Sequence, residues 1–137
     1  MKKRRILYIC HEGHLYGSQQ SLRLLIENLA KEDVDCMVSI ARPGELNEQL
    51  AGLPNVKVLK HARLQWFKHD KRTFLKYWAD LLSLCYNVFT KTPILIDTIK
   101  KYNIDAVHTN SVVSLEGAIA AWWTKTPHVW HIRELFM

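Results

Sequence analysis

Arg5-Ile-Leu-Tyr-Ile-Cys-His-Glu-Gly-His-Leu-Tyr-Gly-Ser-Gln-Gln-Ser-Leu, residues 5 to 22, decides the fold. Ile6 to Cys10 is a short, dense apolar run with β-branched and aromatic members, the pattern of a strand buried on both faces. The run breaks at Gly13 and Gly17. Beyond Gly17 the apolar residues fall at Leu22, Leu25, Ile26 and Leu29, the i, i+3, i+4, i+7 spacing of an amphipathic helix. Strand, glycine-bearing loop and helix in this order place a helix N-terminus at the carboxyl edge of the first strand. Ligands of open parallel sheets bind at that edge, where backbone N–H groups and the positive helix end face outward.

The rest of the composition narrows the class. The chain has 137 residues, 48% apolar and 23% charged, which fits one globular domain with a real core. It contains no apolar run of about 18 residues that could span a membrane. The basic start, Met1 to Arg5, precedes only five apolar residues, whereas a secretory segment needs at least about seven. Cys10, Cys36 and Cys85 are odd in number and far apart, the pattern of reduced thiols in a cytoplasmic protein rather than of a disulfide framework. The net charge of +6 and pI near 9.3 favour an anionic partner: a phosphorylated ligand, an anionic membrane surface or nucleic acid. The absence of any RNA- or DNA-binding signature argues against the last.

Taken in order, the periodicity predicts strands over Arg4 to His11, Val34 to Ala41, Val56 to Leu59, Asp105 to Asn110 and His128 to His131. Helices are expected over Ser18 to Lys31, Glu45 to Leu53, Thr73 to Phe89, Ile94 to Tyr102 and Ser114 to Thr124. Pro93 is expected to end or restart the long helical stretch. Lys60 to Arg72 mixes cations with Leu64, Trp66 and Phe67 and fits neither period; its aromatic and basic groups suit an anionic membrane surface or a loop packed on its own domain. The order βαβαβ–αα–βαβ predicts a Rossmann-like α/β fold, a parallel sheet with helices on both faces. The chain stops at Glu134-Leu-Phe-Met just after the fifth strand, where a doubly wound sheet normally receives another helix. The expectation is therefore part of a larger chain.

Several specific chemistries fail on spacing. Gly13 and Gly17 do not make the G-x-G-x-x-G fingerprint, and strand two ends Ile40-Ala41-Arg42 without the acid that would hold a ribose. A P-loop is absent. His11 and His14, and His128 and His131, form two H-x-x-H pairs, but the second pair lies on a strand, where residues three apart face opposite sides. No metal and no cofactor is expected. Ser111, His131 and Glu134 lack the nucleophile elbow of a hydrolase. What remains is a set of polar strand ends on one edge: His108-Thr-Asn-Ser after strand four and His131-Ile-Arg-Glu after strand five, beside the glycine loop. A structural role for Asn110 and His131 fits these residues as well as a binding role does.

Strand one with its glycine loop and S-L-x-x-L-I-x-x-L, then I-D-A-V-H-T-N-S, G-A-I-A-A and K-T-P-H-V-W-H-I-R-E, resembles the N-terminal domain of family 4 glycosyltransferases of the GT-B fold. The resemblance covers most of the chain and is strongest at 6 to 29 and 104 to 134. The family loop reads G-G-x-E before S-L; here Tyr16-Gly17-Ser18-Gln19 stands there, so Gly17 matches, Tyr16 replaces a glycine and Gln19 replaces the acid. The resemblance implies the acceptor-side half of a two-domain enzyme that moves a sugar, with retention, from a nucleotide-sugar to a glycan or lipid-linked acceptor. It places His131 against the transferred sugar, as the catalytic position, and Gly17, Tyr16, Ser18, Asn110, Ser111, Arg133 and Glu134 along the substrate cleft. The C-terminal donor-binding domain, with its paired glutamates and phosphate-binding cations, is not in these 137 residues. The same residues taken alone also fit a non-catalytic α/β module that binds a phosphorylated ligand or a partner domain. An exposed docking face could drive a homodimer. A cytoplasmic location, peripheral to the inner face of the membrane, is the matching expectation.

Overall fold

The computed structural model describes residues 3–60, 74–112 and 114–132. Five strands, β1 (Arg4–Cys10), β2 (Val34–Ile40), β3 (Val56–Lys60), β4 (Ala106–Asn110) and β5 (His128–His131), alternate with four helices, α1 (Gly17–Lys31), α2 (Glu45–Ala51), α3 (Phe74–Lys101) and α4 (Glu116–Thr124). The strands form one sheet in the order β3-β2-β1-β4-β5, and every pairing is parallel. The chain thus winds outward from β1 in one direction and then, after α3, in the other. This is the doubly wound Rossmann order through β5, with the crevice of the order change between β1 and β4.

Alternation along β1 builds two cores. Leu7 and Ile9 point to one face and pack with Leu95 and Ile99 of α3 and Ala120 and Ala121 of α4. Tyr8 and Cys10 point to the other and pack with Leu22 and Ile26 of α1 and Leu46 and Leu50 of α2. A strand covered on both sides has no room for polar alternation, which is why Ile6 to Cys10 is a continuous apolar run. The small residues of α4, Gly117, Ala118, Ala120 and Ala121, suit it to close packing on the sheet. A Cβ on Gly117 would run into Thr109 Oγ1 and stand 2.8 Å from Ile9 Cδ1, so only glycine lets α4 lie this close to the sheet. Cys10 and Cys36 are buried free thiols and Cys85 is an exposed one.

One expectation is overturned. The chain does not break at Pro93: α3 is a single helix of 28 residues with the proline inside it. Proline removes one N–H and releases the carbonyl four residues back, Phe89. Both Phe89 and Pro93 lie on the exposed side, so water can satisfy that carbonyl. Thr92, Leu95 and Ile99, on the opposite side, are buried and hold the helix to the sheet across the proline. The element order is accordingly βαβαβαβαβ. Helix α3 ends where expected, at Asn103, which takes the left-handed conformation (φ 50°). The basic and aromatic stretch around Trp66 and Phe67 lies outside the described residues.

The close contact of α4 is testable. Gly117→Ala is expected to cost about 1–3 kcal/mol in urea unfolding, the usual range for overpacking. Gly52→Ala, where a Cβ meets nothing within 4 Å, is expected to be neutral or to stabilise by up to about 1 kcal/mol. Equal effects of the two would contradict the packing.

Candidate functional site

The parallel register brings three strand ends into one row. Cys10 of β1 is paired with Asn110 of β4, and Asn110 with His131 of β5. On the other side Cys10 is paired with Ile40 of β2. Paired residues point to the same face, so Cys10, Asn110 and His131 all face the α1 side at the carboxyl edge. One step below, Tyr8 and His108 are also paired, with ring centroids 5.3 Å apart. His108 in turn meets His131 edge to face at 5.6 Å. An aromatic ladder therefore runs across β1, β4 and β5 directly under the rim. His128 points the other way: its Nε2 is 2.9 Å from Thr109 Oγ1, on the α4 side. The two histidines of the second H-x-x-H pair are thus on opposite faces of the sheet.

Asn110 is 1% exposed, and its Nδ2 has no hydrogen-bond partner among the described residues. Ser114 Oγ, buried in the β4–α4 turn, also has none among them. Two buried polar atoms left open in one turn are unusual, because burying such a group without a partner costs about 1–3 kcal/mol. Between them, Ser111 has φ 109°, a region that side-chain-bearing residues rarely enter. Its N–H donates to the His131 carbonyl at 3.0 Å, and its carbonyl accepts from Trp130 Nε1 at 2.9 Å. These two bonds hold the ends of β4 and β5 together and keep the strained conformation in place.

The third corner is the β1–α1 loop. Tyr16 is the N-cap of α1 and supplies no side-chain cap, and the first turn carries no acid. Gly17 opens the helix, and a Cβ there would meet nothing within 4 Å. No described glycine has positive φ, so Gly17 is not needed for a left-handed turn; what it provides is clear space in front of the helix end. The close-approach glycines are instead Gly13 and Gly44. A Cβ on Gly13 would stand 2.6 Å from Gly44 N, and one on Gly44 would stand 2.6 Å from the Gly13 carbonyl oxygen. The β1–α1 and β2–α2 loops therefore lie backbone to backbone. Leu46 N–H donates to the Gly13 carbonyl, and Asn47 Oδ1 accepts from Gly44 N–H, each at 2.9 Å.

Electrostatics differ along the rim. Glu12 lies between His14 Nε2 and Arg42 Nη1, each 3.8 Å away, so Arg42 is already engaged by a carboxylate. Cys10 Sγ donates to the Glu12 carbonyl at 3.0 Å. Burial pushes the Cys10 thiol above its ordinary pKa, partly offset by the Glu12 carbonyl and by the neighbouring side chains of Asn110 and Gln19. Cys36 is pushed up to about 11, by burial first and then by the charge of Asp35. Both thiols are thus protonated and shielded at neutral pH. Burial lowers the pKa of His128.

Of the residues singled out in the sequence, the structure brings Asn110, Ser111 and His131 together and sets Tyr16, Gly17 and Ser18 on the same edge. Arg133 and Glu134 lie outside the described residues. Sequence reasoning named Gln19 only as the replacement of an acid and missed its burial: it is 2% exposed and its Oε1 accepts from Ser18 Oγ at 2.7 Å. The signal was there, since Gln19 stands on the Leu22–Ile26 stripe. It also missed the locking bond from Trp130 and the Gly13–Gly44 contact, which no local pattern encodes.

No protein-family model and no curated protein matches the sequence. Solved structures do match, at identities that establish the fold alone. HepE of Anabaena, in complex with UDP and glucose, aligns with 93% of this chain at 19% identity and TM-score 0.59. The calicheamicin glycosyltransferase CalG4 aligns with the whole chain at 15% identity and TM-score 0.64. The C-terminal domain of the PF1911 hydrogenase of Pyrococcus furiosus aligns with 96% of it at 12% identity and TM-score 0.59. The chain spans only 29% of the HepE chain and 34% of the CalG4 chain, but matches 92% of the hydrogenase domain. The fold is a Rossmann-like α/β domain of the kind that makes one half of a GT-B glycosyltransferase.

Two outcomes follow from the burial of these groups. In the native chain Ellman's reagent is expected to modify Cys85 quickly, and Cys10 and Cys36 only on unfolding; quick reaction of all three would contradict the buried rim. His128 is half-buried and burial lowers its pKa, so the unfolded chain takes up its proton more readily. Its contribution to stability is complete above about pH 6.5 and is lost as pH falls through its lowered folded pKa. His128→Gln is expected to flatten that acid limb of the melting temperature, and an unchanged limb would count against it.

Proposed function

We propose that this domain is the acceptor-side half of a cytoplasmic, retaining glycosyltransferase of family 4. In this reading the enzyme moves a sugar from a nucleotide-sugar to a glycan or lipid-linked acceptor. The observation that supports the reading is the Cys10–Asn110–His131 row beside the open start of α1. His131 holds the transferred sugar from the end of β5. Asn110 offers a buried amide to a sugar hydroxyl. The first-turn N–H groups of Gly17 and Ser18, with Tyr16 in front of them, receive a phosphate or hydroxyl. Ser111 carries the strained corner between these groups, and the resemblance assigns Arg133 and Glu134, which follow β5 in sequence, to the same substrate. HepE, of similar fold, is bound to UDP and glucose.

Transfer with retention needs a leaving phosphate stabilised by fixed positive groups and held beside the acceptor hydroxyl. The described rim offers backbone N–H groups and polar side chains, and its cation Arg42 is engaged by Glu12; in this reading the phosphate-binding cations belong to a second domain. Residues 1–137 alone are therefore expected to show no useful transfer. The other reading, a non-catalytic α/β module with a phosphorylated ligand or partner at the same edge, draws on the match to nearly all of a self-contained hydrogenase domain.

Titration of the ¹⁵N-labelled chain with UDP-glucose tests the first reading. Amide shifts are expected at the start of α1 and at the ends of β4 and β5. His131→Ala is expected to weaken binding about 2- to 10-fold, the worth of one hydrogen bond. Gly17→Val, which fills the clear space, is expected to abolish it. Unchanged binding in both variants, or shifts confined to the opposite edge, would overturn the assignment.

A further inference from the structure

The start of α1 is a helix end whose donors are left open. The first helical bond runs from the Gln20 N–H to the Tyr16 carbonyl at 2.9 Å, so the N–H groups of Gly17, Ser18 and Gln19 precede the ladder. Tyr16 supplies no side-chain cap, and the first turn carries no acid. Gln19 stands at the third helical position, where a glutamine or glutamate can fold back onto the N-cap N–H. Here the Tyr16 N–H donates instead to the His14 carbonyl at 2.9 Å. Gln19 turns inward, 2% exposed, and its Oε1 accepts from Ser18 Oγ.

A second open donor lies beneath this turn. The side chains of Gln19, from α1, and Asn110, from β4, both lie against Cys10 Sγ. Asn110 is 1% exposed, and its Nδ2 has no partner among the described residues. The Cys10 S–H is directed elsewhere, to the Glu12 carbonyl. Donors therefore exceed acceptors on this floor, and no ionised group of the floor offsets them. Burial keeps the Cys10 thiol protonated, and Glu12, the nearest acid along the chain, lies between His14 and Arg42. A glutamate has nearly the shape of Gln19 and would accept the same bond from Ser18. It would also put a negative charge under the open N–H groups, where the helix end favours an anion. The amide of Gln19 braces the turn without filling that demand.

We infer that Gln19 is a specificity-determining residue of this helix end: its neutral amide keeps the first turn of α1 receptive to a tetrahedral oxyanion, such as a phosphate group of the ligand, which a glutamate in its place would repel. Gly17 is exposed and Ser18 half-buried, so an oxyanion can reach their N–H groups from solvent. The inference rests on the proposed function for the choice of edge, and adds which residue sets the charge that edge accepts.

Sulfate, a tetrahedral dianion, probes the helix end without a nucleotide-sugar. Titration of the ¹⁵N-labelled chain with sulfate, at ionic strength matched with chloride, is expected to shift the amides of Gly17 and Ser18. Gln19→Glu is expected to weaken that binding about tenfold or more at neutral pH. The deficit should close as pH falls and the introduced carboxyl takes up its proton. Gln19→Met removes the side-chain hydrogen bonds and adds no charge, so it is expected to lose stability and still bind sulfate nearly as well as the parent. Ser18→Asp brings a negative charge to the same turn from a half-buried position. It is expected to hold or raise the melting temperature and to lose sulfate, which reads the charge effect even where Gln19→Glu fails to fold. No shift at Gly17 and Ser18, Gln19→Met as weak as Gln19→Glu, or acid variants that bind as well as the parent would overturn the inference. UDP-glucose in place of sulfate separates it from the proposed function. Sulfate binding that the acid variants lose, with no response to UDP-glucose, would support the role of Gln19 and remove the transferase reading.

Discussion

Parallel pairing is the constraint on which the rest of this structure depends. Each strand must be followed by a return path to the amino edge, and each return path here is a helix that needs an apolar side against the sheet. The result is a β1 with no polar position between Ile6 and Cys10, and two cores on opposite faces of the sheet, to both of which β1 and β2 contribute. The same constraint puts every strand end on one rim. Chemistry spread from Cys10 through Asn110 to His131, whose outer members are 121 residues apart along the chain, is brought into one row by the parallel backbone pairing.

Much of this was legible in the sequence because it is local. The change of period at Gly17 marks β1, the loop and α1; the small residues from Gly117 to Ala121 mark a helix that lies close to a sheet; His128 to His131 is a strand with the expected bounds. The long helix was misjudged at Pro93 for a physical reason. A proline is a breaker in isolation, but here its released carbonyl lies on the exposed side and the opposite side is anchored by Leu95 and Ile99. The fit of Gly13 against Gly44, the lock from Trp130 to Ser111 and the open amide of Asn110 depend on strand order and register. Neither is written in any window of the sequence.

The site is a rim of mixed character. Glu12 and Arg42 engage each other on the β2 side, while the β4–β5 side presents buried polar atoms, a strained serine and two histidines meeting edge to face. Such a surface is suited to neutral hydroxyls and to the phosphate that backbone N–H groups can hold, and less to a bare anion clamped by cations. Matches to parts of glycosyltransferases and to most of a hydrogenase domain agree on the sheet, and a shared sheet leaves chemistry to be decided by the rim.

The most direct test of the account is a ¹⁵N- and ¹³C-edited nuclear Overhauser experiment on the labelled chain, aimed at the last row of the sheet. The account predicts parallel-type cross-peaks linking the backbone of Cys10 with Asn110 and of Asn110 with His131, together with contact between the Trp130 indole N–H and Ser111. Cross-peaks that pair His131 with the start of β4, as an antiparallel strand would give, or none between these three residues, would contradict it.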